Sequence, residues 1–374
     1  MKILYVATQD NPLDLNAGSG SDYQIYHSLL HNGAEMKLVG PFKDNPSILE
    51  RTYRKVHRLF SKKRYAKYSV TYLGQIARAV DQAALSHNPD VIFTINTVAM
   101  AYCQSQFPLV CRLDTTLKGH HAQWPIFSEF EYRRMLAWEK KSVRRASLVI
   151  TYSEWSAGIL QDYYQVPRER ILVIPDPASL PPQVVPQKVD SRSNEMSPLH
   201  LLLVGRDYDR KGIDIAIRIV ELLNESGVPT ELRIVGLKKE DTSFVRYMGL
   251  FNKTIVSQLE AYAEQYKWAH FLLHPSRFDP GGIVASEAAA FGVPAITNAS
   301  GGMATTVKHN VSGFVLPKDS PAEDYVIAIK KCLNDPAGYI ELRRRTRQRY
   351  DEELNWDVSG RKLFQAIQEI VEAR

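Results

Sequence analysis

The chain has 374 residues, 44% of them hydrophobic and 24% charged, with 47 Lys and Arg against 41 Asp and Glu for a net charge of +6. That length and balance predict two globular domains and exclude a disordered, collagen-like or disulfide-stapled chain. The three cysteines, Cys103, Cys111 and Cys332, form no spaced pair, so neither a zinc site nor a disulfide framework is expected, and a reducing compartment fits.

In chain order, Ile3–Ala7 reads as a buried strand; its apolar run is shorter than the roughly 7–15 residues of a secretory leader. A Gly/Ser loop follows, with Gly18 and Gly20, and then a helix carrying Ile25, Tyr26, Leu29 and Leu30 on one face, with Gly33 placed to end it. Met36–Val39 is the next strand. The segment Lys43–Lys67 holds nine Lys or Arg against Asp44 and Glu50, with Leu49, Tyr53, Val56 and Phe60 recurring at helical spacing. Such a basic amphipathic helix suits an anionic lipid surface, and equally a helix covering the core with its cations in water. Val91–Ile95, Leu109–Leu113, Leu148–Thr151 and Leu172–Ile174 continue the strands. Asp114, His120 and His121 follow one of them. Glu139-Lys140-Lys141 reads as a solvated helix face.

The proline-rich, polar stretch Pro175–Pro198 reads as a linker. The rhythm then restarts with His200–Val204, Glu231–Val235, Phe271–Leu273, Ala295–Thr297 and Phe314–Leu316 as strands. Strands alternating with helices predict two α/β domains, each a doubly wound parallel sheet, with the cleft between them as the expected site. The boundaries fall at 1–178, 179–198 and 199–355, with a final helix over 356–374. The run Arg343-Arg344-Arg345, Arg347 and Arg349 reads as one side of a helix. No segment approaches the ~20 apolar residues of a membrane span, so a cytoplasmic chain is expected, peripheral at the inner face of the membrane if the basic helix meets lipid.

Two segments carry the chemistry. In the first, Gly281 and Gly282 precede a helix beginning near Ile283, so that ligand can approach the backbone and the N–H groups through Val284 favour a phosphate. Glu287, about one turn in, suits a ribose diol, and Asp279, on the loop side, suits hydroxyls of whatever the phosphate carries. In the second, Gly205-Arg206 and Lys211-Gly212 place two cations at a strand's carboxyl end, where a diphosphate can be neutralised.

Together these segments resemble the retaining family-4 glycosyltransferases of the two-domain, Rossmann-like GT-B architecture. Arg206 and Lys211 resemble the family's diphosphate-binding pair, and Asp279 and Glu287 its acid–seven-residues–Glu motif. Gly292-Val293-Pro294, Gly301-Gly302 and Gly313 follow in the family's order, and Trp356 matches the position where the chain crosses back to the first domain. The Gly18–Gly20 loop resembles the one facing the donor phosphates and the acceptor. Asp279 stands where the family usually has Glu, Thr305 where it often has Glu, and Leu113-Asp114 where it usually has His-Asp.

The resemblance implies transfer of a sugar from a nucleotide diphosphate sugar, UDP- or GDP-linked, to an acceptor hydroxyl with retention. Arg206, Lys211 and Asp279 would be catalytic. Gly18, Gly20, Gly205, Gly281, Gly282, Ile283, Val284 and Glu287 would bind the donor. Asp114, His120 and His121 would lie on the acceptor side. No Asp-x-Asp pair stands in a loop suited to a metal, and no cofactor is expected. The acceptor would be a carbohydrate or lipid-linked molecule. Nucleic acid is not an expected partner, since no helix-turn-helix, zinc or RNA-binding signature accompanies the basic balance. Nucleotide-sugar epimerase or hydrolase chemistry on the same fold, and a non-catalytic nucleotide-sugar scaffold, stay open at this level.

Overall fold

The computed structural model describes residues 1–15, 20–44, 46, 48–60, 63, 68–189 and 196–373, with the backbone alone at 58–60. The chain divides into two compact units, one of Met1–Ile174 with Ser359–Arg374, the other of Pro175–Val358.

The first unit is built on β1 (Lys2–Val6), β2 (Glu35–Val39), β3 (Val91–Thr94), β4 (Leu109–Leu113), β5 (Leu148–Thr151) and β6 (Ile171–Val173). Their order is β2-β1-β3-β4-β5-β6, every pairing parallel. β3, β4 and β5 are buried along their whole length, as strands covered on both faces must be. The helix Ser21–His31 follows β1, and Gly33, at φ 94, takes the left-handed turn that ends it. The last helix, Trp356–Glu372, runs into this unit from Ser359 onward.

The second unit is built on β7 (Leu199–Val204), β8 (Thr230–Val235), β9 (Val245–Gly249), β10 (Phe271–His274), β11 (Ala295–Asn298) and β12 (Gly313–Leu316), in the parallel order β12-β11-β10-β7-β8-β9. Side chains alternate across a strand. Leu201, Leu203, Ile234 and Leu273 therefore enter one core, and Leu202, Val204, Val235 and Leu272 the core on the opposite face. Both faces are filled, which explains why β7 is apolar at every position but His200.

Three sequence expectations change. β9 has no counterpart in the sequence reading: it is an edge strand, half-exposed after Val245, and its residues give no apolar run. Much of the expected linker lies on the second unit. Leu180 is buried in its core with Val184 and Val185 packed alongside, while 190–195 fall outside the described residues. The arginine run turns partly inward. Arg343 Nε donates to the Gly292 carbonyl (3.1 Å), Arg347 Nη1 to those of Ala290 (3.0 Å) and Pro186 (2.6 Å), and Arg349 to those of Thr305 (2.6 Å) and Thr306 (3.1 Å). Arg343 and Arg347 thus meet the carbonyl end of the helix Ile283–Ala290, where cations are favoured.

Among the described residues, no helix is long and apolar enough to cross a membrane.

Candidate functional site

In a doubly wound sheet, ligands bind outside the carboxyl ends of the strands where the strand order reverses. In the second unit the order reverses between β7 and β10. Arg206 and Lys211 follow β7, while His274, Asp279, Gly281 and Gly282 end or follow β10. The topology brings the two motif segments to one place.

Close backbone contacts hold the two loops together. Gly212, at φ 65, starts the helix Ile213–Glu225, and a Cβ there would lie 2.0 Å from the Pro275 carbonyl oxygen. A Cβ on Gly205 would lie 2.6 Å from Lys211 Cγ, so Gly205 leaves room for the lysine stem. Ser276 Oγ donates to the Arg210 and Phe278 carbonyls (2.8 and 2.9 Å), and Arg277 pairs with Asp214 through two hydrogen bonds (2.8 and 2.6 Å). Gly301, at φ 58, would press a Cβ to 2.3 Å from the Asp279 carbonyl oxygen, and the Gly302 N–H donates to that same oxygen (2.9 Å). The later glycines thus seat the backbone of Asp279.

Lys211 and Asp279 form a buried ion pair, Nζ to Oδ2 at 2.5 Å. His274 Nε2 lies 2.9 Å from the same oxygen, and the Gly282 N–H donates to Oδ1 (3.1 Å). Burial alone would raise the Asp279 pKa, but Lys211 and His274 outweigh it and hold the carboxyl well below its usual range. Burial, and then the charge of Lys211, lowers the His274 pKa. A neutral His274 beside a carboxylate carries its proton on Nε2 and donates it. Gly282, expected to offer its N–H to a phosphate, gives it to Asp279. The N–H groups of Ile283 and Val284 remain in the first turn of a helix, where no preceding carbonyl is in reach. Arg206 is exposed, and no carboxylate among the described residues pairs with it. Its charge is felt at Tyr262, whose hydroxyl burial pushes far above the ordinary phenol range.

Glu287 is 1% exposed and heavily partnered. Tyr262 and Tyr266 donate their hydroxyls to Oε2 (2.6 and 2.7 Å), and Lys253 Nζ reaches Oε1 at 2.6 Å. Sequence reasoning missed Lys253, Tyr262, Tyr266 and His274. The i, i+4 spacing of the two tyrosines on the helix Val256–Trp268 was the one signal available, and it reads equally as core.

In the first unit, Gly20 caps the helix Ser21–His31 at φ 97, while Gly18 lies outside the described residues. Asp114 stands exposed after β4, accepting the Thr115 N–H (2.7 Å), and the helix Leu117–Gln123 carries His120 and His121. His121 stacks on Tyr132 at 3.7 Å between ring centres, with Glu129 3.5 Å from its Nε2. Burial, and then Asp10, raises Asp22 to about 6, with Arg112 opposing.

Glu139 corrects the sequence reading: it is buried, not solvated. Its oxygens accept the Tyr164 hydroxyl, the Leu117 N–H (2.9 Å) and the Thr97 hydroxyl (3.2 Å). It thereby caps the helix that carries the two histidines. The basic helix Ile48–Phe60 also departs from one of its two readings. Leu49, Tyr53 and Val56 are 84%, 43% and 46% exposed, so this stripe does not cover the core.

Two parallel six-stranded sheets with interleaved helices, one bearing a basic, carboxylate-buttressed loop pair at its switch point, define a GT-B-type α/β protein. The family model for glycosyl transferases group 1 matches residues 187–352, and that for glycosyltransferase family 4 matches residues 23–180. The chain belongs to this glycosyltransferase family. A glycogen synthase of Mycobacterium tuberculosis (strain CDC 1551 / Oshkosh) is 27% identical over 294 residues, covering 73% of this chain and 67% of that protein. The chain thus matches about two thirds of that relative's length. A sucrose-phosphate synthase from Thermosynechococcus elongatus superposes with a TM-score of 0.71 at 19% identity, covering 100% of both chains. HepE of Anabaena, solved in complex with UDP-glucose, superposes at 0.62 and 18% identity, again over 100% of both chains.

Proposed function

We propose that this chain transfers a sugar from a nucleotide diphosphate sugar to an acceptor hydroxyl with retention at the anomeric carbon, in the synthesis of a polysaccharide, glycolipid or other glycoconjugate. The observation that carries the reading is the cluster at the β7/β10 switch point: exposed Arg206, the buried Lys211–Asp279–His274 group and the first turn at Ile283–Val284. A diphosphate leaving an oxocarbenium-like carbon gathers negative charge. Preorganised cations and N–H groups stabilise it there, and they need no rearrangement as the charge develops. Arg206 meets the diphosphate with its fork, and Lys211 supplies a fixed point charge. Asp279 sets the position of Lys211 and of the Gly282 turn and orients the sugar, and Glu287 meets the ribose. Retention follows if the leaving phosphate oxygen takes the acceptor proton on the same face. UDP- or GDP-sugars are the donors this reading favours; the named HepE complex supports UDP-glucose as a first substrate to try.

Asp114, His120 and His121 are proposed to face the acceptor. The exposed apolar stripe of the helix Ile48–Phe60, flanked by Arg51 and Lys55, supports peripheral contact with an anionic membrane that carries a lipid-linked acceptor.

Arg206→Ala tests the catalytic assignment, because the residue is exposed and its loss leaves no buried charge behind. The expected result is a loss of about 100- to 1000-fold in nucleoside diphosphate release from the accepted donor, the usual cost of removing one preorganised donor. Rates near those of the unaltered protein contradict the assignment. Nuclear magnetic resonance of the first-formed product tests retention, which an inverted anomer would refute.

A further inference from the structure

The two units carry opposite charge at their switch points. In the first unit the strand order reverses between β1 and β3, the kind of place where a doubly wound sheet takes a ligand. Asp10 follows β1, Asp22 lies in the first turn of the next helix, and Asp114 follows β4. Asp10 and Asp114 are exposed and Asp22 is half-buried, and no cation among the described residues lies within ion-pair distance of Asp10 or Asp22. Cys111 and Leu113 enter the core with Leu4 and Val6, so alternation along the strands puts Arg112 and Tyr5 on the opposite face. The helix Ser21–His31 covers that face. Its Tyr26 meets Tyr5 edge-on at 5.2 Å, and Asp22 stands one turn before Tyr26 on the same side. Tyr5 is 0% exposed, and its hydroxyl has no hydrogen-bond partner among the described residues. The charge that hydroxyl feels most is that of Asp22. Arg112, buried and 4.7 Å from the Tyr152 ring centre, is the cation Asp22 feels, and it does not neutralise the group: burial and then Asp10 raise Asp22 to about 6 against it, and Asp114 adds to the rise. Cations of the helix Leu117–Gln123 are engaged elsewhere, Lys118 over the Tyr163 ring (5.0 Å) and His121 on Tyr132.

We infer that the acceptor presents an uncharged polyol at its reacting end, and that Asp10, Asp22 and Asp114 select it by accepting its hydroxyls and turning away phosphate and carboxylate groups. This rests on the reading of the first unit as the acceptor side. An ionised carboxylate has acceptor positions only. It can take the hydrogen bond of a sugar hydroxyl, and it has no proton to offer a phosphate oxygen. An anion entering this crevice also meets like charge, and repulsion of the wrong partner is a general source of specificity. The Tyr5 hydroxyl fits the same reading: a buried hydroxyl with its hydrogen bonds unmade is costly, and an acceptor hydroxyl bridged to it by water removes that cost.

The experiment is transfer at pH 8, where Asp22 is ionised, from whichever UDP-, GDP- or ADP-sugar binds. The acceptors are matched pairs: glucose and glucose 6-phosphate, mannose and mannose 6-phosphate, myo-inositol and myo-inositol 1-phosphate. Products are read by mass spectrometry for the unaltered protein, Asp22→Asn and Asp10→Asn, which remove charge and keep shape. The melting temperature of each variant is recorded so that a folding defect is seen. The unaltered protein should favour the neutral member of a pair by about tenfold or more in kcat/KM, since like charges brought together are costly. Asp22→Asn should narrow that preference by raising the rate on the phosphorylated member, with calorimetric affinity for inorganic pyrophosphate unchanged. A phosphorylated member used as well as its neutral partner, or a preference undiminished in both folded variants, overturns the inference while leaving sugar transfer standing. No transfer to any member of the panel from a bound donor overturns the acceptor reading of the first unit, and this inference with it, while leaving the donor site standing.

Discussion

Glu139 shows how far one side chain's chemistry can depart from the face that carries it. It lies on the buried stripe of the helix Glu129–Arg145, with Met135, Trp138 and Ser142, and its carboxyl is raised from an ordinary 4.5 to about 7. Burial is the largest cause; the hydrogen bonds from Tyr164, Leu117 and Thr97 oppose it and do not win. Between those two pH values the native state holds more protons at this site than the unfolded chain does. Stability from this group is therefore full below about 4.5 and is lost as pH rises toward 7. The shift corresponds to at most about 3 kcal/mol. Glu139→Gln keeps an acceptor for the Leu117 N–H and removes the titration. Denaturant unfolding at pH 5 and pH 8 should show the variant gaining on the unaltered protein at the higher pH. An equal stability difference at both would refute the assignment.

At the scale of elements, position in the fold decides what a helix is for. The helix Ile283–Ala290 has both ends occupied: Asp279 and Gly282 at its start, and the inward arginines of the run 343–349 at its finish. The helix Ile48–Phe60 is the opposite case. Arg54 is tied to Asp44 (2.6 Å) and Glu50 (2.7 Å), while Leu49, Tyr53 and Val56 face solvent. On the membrane contact proposed above, this exposed apolar stripe would enter an anionic bilayer surface while the neighbouring cations meet its headgroups. Co-sedimentation with phosphatidylglycerol vesicles at low salt should pellet the protein. Leu49→Ser combined with Val56→Ser should leave it in the supernatant without changing nucleotide binding. No binding by the unaltered protein would remove the membrane from the account.

Across the whole molecule, eleven of the twelve strands among the described residues were legible, nine of them because parallel strands buried on both faces are short unbroken runs of Val, Ile and Leu, or nearly so. β2 and β12 were legible as well; β9, at a sheet edge and half-exposed, was not. The motif residues were legible because each motif is local: cations after a strand, glycines before a helix. Their supports were not. Lys253 and Tyr262 reach Glu287 across 34 and 25 positions of sequence, and Glu139 reaches the Leu117 N–H across 22. No periodicity carries such pairings, because the sheet order creates them. That order places Arg206, Lys211 and Asp279 at one switch point, and the central claim is that a nucleotide diphosphate binds there. The most direct measurement is thermal stability of the unaltered protein and Arg206→Ala against UDP-, GDP-, ADP- and dTDP-sugars and the free diphosphates. A ligand that binds only the folded state adds about 2.7 kcal/mol of stability at a hundredfold excess over Kd. The account predicts a rise in melting temperature with one nucleotide family and the loss of most of that rise in Arg206→Ala. No rise with any of them, or an undiminished rise in the variant, would contradict it.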